Sequence, residues 1–143
     1  MQLREVKKGK WTIYEVCNPN GTSPLLAWCN ELNPKYRGSL KGLFAILSLV
    51  ATTQAGPTLL PKEKSHEANK KEKIFEFIAG DLRLFWFYAE HQRKVIICGC
   101  QHIKKTKKAN KLEIDRIIKI KNGYAESYKA GNLTYFDDEG KIS

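Results

Sequence analysis

Lys73–Asn110, KIFEFIAGDLRLFWFYAEHQRKVIICGCQHIKKTKKAN, is the stretch whose reading decides the fold. Ile74 to Ile78 mixes β-branched and aromatic residues and stops at Gly80-Asp81, a short turn signal. Leu82 to Tyr88 is apolar except for Arg83, as expected of a central strand covered on both faces. Val95 to Cys100 is a third strand, reached through the polar turn Ala89–Arg93. The three form an antiparallel meander that feeds a lysine-rich loop. Arg83 is the anomaly, because a guanidinium in such a strand is costly unless it is paired or aimed at an anion.

Pairing rules sharpen this point. With Gly80-Asp81 as a two-residue hairpin loop, Ile78 faces Arg83 and Glu76 faces Phe85, so Glu76 and Arg83 share a side of the sheet. Centring the second hairpin on His91-Gln92 sets Arg83 opposite Cys100, with His102 one step further along that face. A carboxylate, an arginine and a histidine then converge at one sheet end, beside Lys104, Lys105, Lys107 and Lys108. A structural ion pair of Arg83 with Glu76 or Asp81 is the competing expectation.

Upstream, Trp11 to Cys17 reads as a first strand, closed by the turn cluster Asn18-Pro19-Asn20-Gly21. Thr22 or Ser23 caps a helix with Pro24 in its first turn. Leu25, Trp28, Cys29 and Leu32 then make one apolar face. After Asn33-Pro34, a second helix carries Leu40, Leu43, Phe44, Leu47 and Val50 on one stripe, ending before Gly56-Pro57. Together they form a helical hairpin lying across the sheet, with their aromatics as core-formers. Thr58 to Glu72 has no period and reads as a surface loop, with His66 solvated.

Downstream, Ala109 to about Lys129 is a helix with Asn110 as cap, Glu113 in box position and Gly131 as its stop. Leu112, Ile117, Ile120 and Tyr124 approximate its apolar side, broadened by Ile114, Ile118 and Tyr128. The tail NLTYFDDEGKIS is expected to pack loosely. The expected fold class is therefore α+β: an N-terminal strand, a helical hairpin, a three-stranded antiparallel meander joined by strand one, and a C-terminal helix. Residues 1–131 make one domain and 132–143 a tail.

Composition bounds the function. At 143 residues the chain can bury a core without staples. A formal charge of +10 points to a polyanionic partner, nucleic acid before an acidic protein or a membrane surface. No 18-residue apolar span occurs and the N-terminus lacks a signal-peptide core, so a cytoplasmic protein with no membrane contact is expected. Cys17, Cys29, Cys98 and Cys100 lack zinc-finger spacing and read as small, reduced hydrophobes, with Cys98 and Cys100 on one strand face.

The ordered motifs IFEF, DLRLFWFY and VIICGCQHIKKTKKAN, followed by a helix opening LEI, resemble the RelE/ParE superfamily of toxins, in its HigB-like, phage-derived branch. The resemblance covers about residues 25–128. It implies a RelE-like fold and the toxin of a type II toxin–antitoxin pair, a ribosome-dependent mRNA endonuclease that requires no metal or other cofactor. Its implied partners are the ribosome, mRNA and a cognate antitoxin, a small helix-turn-helix protein. Carried over residue by residue, Arg83 matches the strand arginine, and Lys104 and Lys105 match the basic pair after the last strand. His102 stands where relatives place a histidine or an aromatic. Glu76 stands where one nuclease subgroup has lysine and HigB-like sequences have glutamate, which leaves the general base open. Glu76, Arg83, His102 and Lys105 are thus the candidate catalytic residues, and Lys104, Lys107 and Lys108 the candidate RNA contacts. The superfamily also admits a gyrase inhibitor without nuclease activity, or a catalytically silent nucleic-acid-binding member.

Overall fold

The structure is a computed structural model that describes residues 1–106 and 110–143. Among these residues seven strands form one mixed sheet: β1 Gln2–Lys8, β2 Thr12–Val16, β3 Ser65–Asn69, β4 Ile74–Ala79, β5 Leu82–Tyr88, β6 Val95–Ile103 and β7 Thr134–Phe136. Among the same residues three α-helices accompany them: α1 Pro24–Glu31, α2 Arg37–Thr52 and α3 Lys111–Ala130. The class is α+β. Among the described residues, no helix is long and apolar enough to cross a membrane.

The sheet order is β3-β4-β5-β6-β2-β1-β7, with β2 parallel to β6, β7 parallel to β1, and all other pairs antiparallel. The expected meander is β4-β5-β6, and the expected first strand is β2, which joins the meander alongside β6. Three strands were not anticipated. Gln2–Lys8 is β1; Ser65–Asn69, inside the expected loop, is β3; and Thr134–Phe136, inside the expected loose tail, is β7. Phe136 is buried, and Arg4 donates to the carbonyls of Gly21 and Asp138, so the tail is fastened to the sheet edge.

Each face of the sheet has its own core. The α1–α2 side buries Ile13, Leu43, Leu47, Val50, Phe77, Leu84 and Trp86. Trp86 stacks between Phe75 and Phe77, with ring centroids 4.5 and 5.2 Å away, and its indole N–H donates to Ser65 on β3. Burying each of these rings is worth about 2–3 kcal/mol, which explains how a strand as polar as SHEAN is held at the edge. The α3 side buries Leu3, Ile74, Phe85, Phe87, Ile97, Ile117 and Tyr124. Leu112, expected on the apolar side of α3, is instead 61% exposed at the first turn.

Local chemistry sets the ends. Asn110 accepts from the Glu113 N–H as the cap of α3, and Gly131 stops the helix in the left-handed region, φ 70°. Gly80 turns β4 into β5 at φ 57°, and a Cβ there would crowd the Ser39 hydroxyl on α2. The positive φ is what makes glycine the favoured residue at this turn. Around it the register is as expected, with Ile78 opposite Arg83 and Glu76 opposite Phe85.

The second hairpin departs from expectation. Tyr88 pairs with Ile96 and Phe85 with Gly99, a slip of one residue that by itself would set Arg83 opposite Gln101. Between Phe85 and Arg83, β6 carries one residue more than β5, so Arg83 pairs with His102 instead of Cys100. This is a β-bulge, and Cys100 sits in it at φ 54°. The bulge also ends strict alternation: Cys98 packs on the α1–α2 side and Cys100 on the α3 side, so the two thiols do not share a face.

Candidate active site at the start of helix three

Glu76 lies on β4 and points to the α3 side, only 5% exposed. A buried carboxylate needs partners. It has one in His66, its cross-strand neighbour on β3, whose Nε2 stands 2.8 Å from Oε1. His66 therefore stands on an edge strand and not in a loop, its ring still exposed but bonded to Glu76. It closes one wall of a pocket of about 140 Å³ whose floor is Glu76 and Phe85, with His102 and Lys104 opposite and Asn110 and Ile114 of α3 at the rim.

His102 owes its place to the bulge. Its Nδ1 is 2.8 Å from the Cys100 carbonyl oxygen, and its ring leans on Phe85 at 5.1 Å. A carbonyl only accepts, so Nδ1 carries the proton and the Nε2 lone pair is left for proton exchange when the ring is neutral. Turning the backbone at Cys100 thus does two things: it returns His102 to the face of Glu76, and it presents the oxygen that fixes the tautomer. The Cys100 thiol itself is pushed up to about 11 by burial, which keeps it un-ionised at neutral pH.

Arg83 does not pair with Glu76 or Asp81. Its Nη1 donates to the carbonyls of Gly80 and Leu82, at 2.6 and 3.0 Å, and its buried Nε has no partner among the described residues. The side chain borders an open depression shared with Lys104, Lys105 and Thr106. Lys104 lines both this depression and the Glu76 pocket, so the two adjoin at its side chain. A backbone bond from the Lys104 N–H to the Asp81 carbonyl, 2.7 Å, holds it against the β4–β5 turn. The structure therefore divides the expected cluster into two adjoining parts. One holds proton-transfer groups, Glu76, His66 and His102. The other holds cations, Arg83, Lys104 and Lys105. Lys107 and Lys108 lie outside the described residues.

Chemically, cations beside a proton-transfer pocket suit a phosphate ester whose charge grows during reaction. The first turn of α3 adds the positive end of a helix dipole at the rim. Among the described residues no three His, Cys, Asp or Glu side chains gather as a metal-ligand set.

His66 was the residue that sequence reasoning missed. Its one available signal was alternation: in Ser65-His66-Glu67, His66 falls on the side opposite Ser65, which meets Trp86. The chain matches no protein-family model and no curated protein.

Proposed function

We propose that the chain is a metal-independent endoribonuclease of RelE-like topology, acting on ribosome-bound mRNA as the toxin of a toxin–antitoxin pair. The observation that carries the reading is a pair of adjoining hollows: Glu76–His66 and His102 line one, Arg83 and Lys105 the other, and Lys104 borders both. The core order β2, α1, α2, β4, β5, β6, α3 supports it, because it is the order that the resemblance implies.

In the proposed reaction one proton carrier takes the proton of a ribose 2′-OH as its oxygen bonds to the adjacent phosphorus. The P–O5′ bond breaks, and the other carrier gives a proton to the departing 5′-oxygen. The products are a 2′,3′-cyclic phosphate and a 5′-OH, with no net oxidation and no water consumed. Arg83 and the two lysines stabilise the equatorial oxygens of the phosphorane, where charge accumulates. Glu76, through His66, supplies one carrier and His102 Nε2 the other. Dependence on the 2′-OH makes RNA, not DNA, the substrate.

The test is to map transcript 5′ ends after brief induction in growing cells. New 5′-OH ends inside translated frames are expected, and they should disappear in Arg83→Ala. Intact transcripts accompanied by double-strand DNA breaks would overturn the nuclease reading in favour of a gyrase inhibitor. A substrate with a sulfur leaving atom at the cut then assigns the roles, because a good leaving group restores the rate of the variant that lacks the acid and not of the one that lacks the base.

A further inference from the structure

A second groove, of about 370 Å³, opens where the end of α1 and the 3-10 turn Pro34–Tyr36 meet the end of β6. Trp28 and Tyr36 line it, with Lys35, Glu31, Ile103 and Lys105. The helix aromatics were expected to be core-formers, and Trp28 does touch the α1–α2 core, yet it is only partly buried. Lys35 lies over the Tyr36 ring, 5.2 Å from its centroid, so a cation and an aromatic plane are presented together.

We infer that this groove is a subsite for one unpaired nucleobase of the RNA chain flanking the scissile phosphate. The inference rests on the nuclease reading for its ligand, and three observations give it direction. Lys105 lines both this groove and the Arg83 depression, so the two adjoin at a cation that a backbone leaving the phosphate site would meet on its way to the groove. Two aromatic side chains at the edge of a cationic track are the elements by which proteins hold single strands: the track follows the phosphates and the rings stack with bases. Glu31 is the one carboxylate on the lining. It repels a phosphate but accepts a hydrogen bond from a base amino group, so the base lies beside Glu31 and its phosphate at Lys105.

The experiment is an NMR titration of the ¹⁵N-labelled full chain with the dinucleotide ApA, which reads weak binding and needs no cleavage. The Trp28 indole resonance is assigned from its loss in Trp28→Leu. Upfield ring-current shifts are expected at Trp28 and on the adenine protons, and ribose 5-phosphate, which has no base, should leave Trp28 unmoved. Tyr36→Leu, which keeps apolar bulk and removes the ring, should weaken ApA binding about tenfold. Shifts confined to Arg83, Lys104 and Lys105, or none at all with millimolar ApA, would overturn the subsite. So would shifts at Trp28 with a poly-aspartate peptide and none with ApA, which would mark the groove as a protein contact. Failure of the nuclease reading is recognised separately, by the absence of transcript cleavage in cells.

Discussion

Among the described residues two carboxylates are buried, on opposite faces of the sheet, and they have different kinds of partner. Glu15 on β2 is 4% exposed and Glu76 on β4 is 5% exposed. Glu15 spends both oxygens locally: Oε1 accepts from the Leu25 N–H at 3.0 Å, and Oε2 accepts from the Ser23 hydroxyl. Ser23 in turn caps α1 by accepting from the Leu26 N–H. Glu15 also lines a hollow of about 170 Å³ with Arg4, Ser23 and Phe44, but no histidine stands on that lining, and both of its oxygens are engaged in tying the start of a helix to a strand. Glu76 has a titratable partner, His66, and opens onto a pocket with a second histidine. On the proposed function, burial alone does not separate structure from function; the kind of partner does.

The largest effect should come from exchanging the two sites' roles by amide substitution. Glu76→Gln keeps the shape and removes the charge that orients His66, so single-turnover cleavage on programmed ribosomes should fall by roughly 10² to 10⁴. Glu15→Gln should cleave at the wild-type rate. Equal rates for the two variants would erase the distinction and return Glu76 to a structural role.

Arg83 is the next test, because it combines both kinds of bond. It clasps the Gly80 turn through Nη1, keeps its Nε buried without a partner among the described residues, and borders the open depression with Lys104 and Lys105. Arg83→Ala should therefore lose roughly 10² to 10³ in rate as one charge-assisted donor disappears, and about 1 kcal/mol of stability with the clasp. Arg83→Lys restores the charge but not the fork, and should recover only part of the rate. A folded Arg83→Ala protein with full activity would remove it from the site.

How much of this arrangement could be read from the residues differs between the two sites. The three strands of the meander are visible because Ile74–Ala79, Leu82–Tyr88 and Val95–Cys98 are dense in β-branched and aromatic residues. β1, β3 and β7 are not, because QLREVKK, SHEAN and TYF are too polar or too short; their strand state comes from pairing and from Trp86, Arg4 and Phe136. Glu76 and Arg83 followed from one tight turn. His102 reached their face only because a slipped register and a bulge offset one another, and the single hint was Gly99, a strand glycine over which Ile117 packs at 3.5 Å from a Cβ position. His66 and the Glu15–Ser23 anchor needed the fold itself, since each joins segments whose contact no local pattern announces.

Among stability effects, Glu15→Ala should be the larger. It leaves the Ser23 hydroxyl and the Leu25 N–H without their acceptor in a buried place, at about 1–3 kcal/mol for an orphaned group. Urea unfolding should show a lower midpoint at unchanged slope. A midpoint equal to wild type would mean that α1 starts without this anchor.

The smallest effect is a pH dependence, and its sign follows from the same geometry. Burial raises the Glu15 carboxyl above its ordinary value of 4.5, outweighing the Ser23 and Leu25 bonds and the nearby Arg4, which lower it. A raised carboxyl holds its proton in the folded chain at pH values where the unfolded chain has released it. The folded state then binds more protons, so this group's contribution to stability is fullest below pH 4.5 and declines as pH climbs through the raised value. Glu15→Gln removes that titration while leaving an amide oxygen for the Leu25 N–H. The difference in unfolding free energy between Glu15→Gln and wild type, measured by urea from pH 4 to pH 7, should therefore shift in favour of the variant as pH rises and then level off. His66 and Glu76 are present in both proteins and cancel. A difference that stays flat across this range, or moves in favour of wild type, would mean that the Ser23 and Leu25 bonds outweigh burial at this anchor.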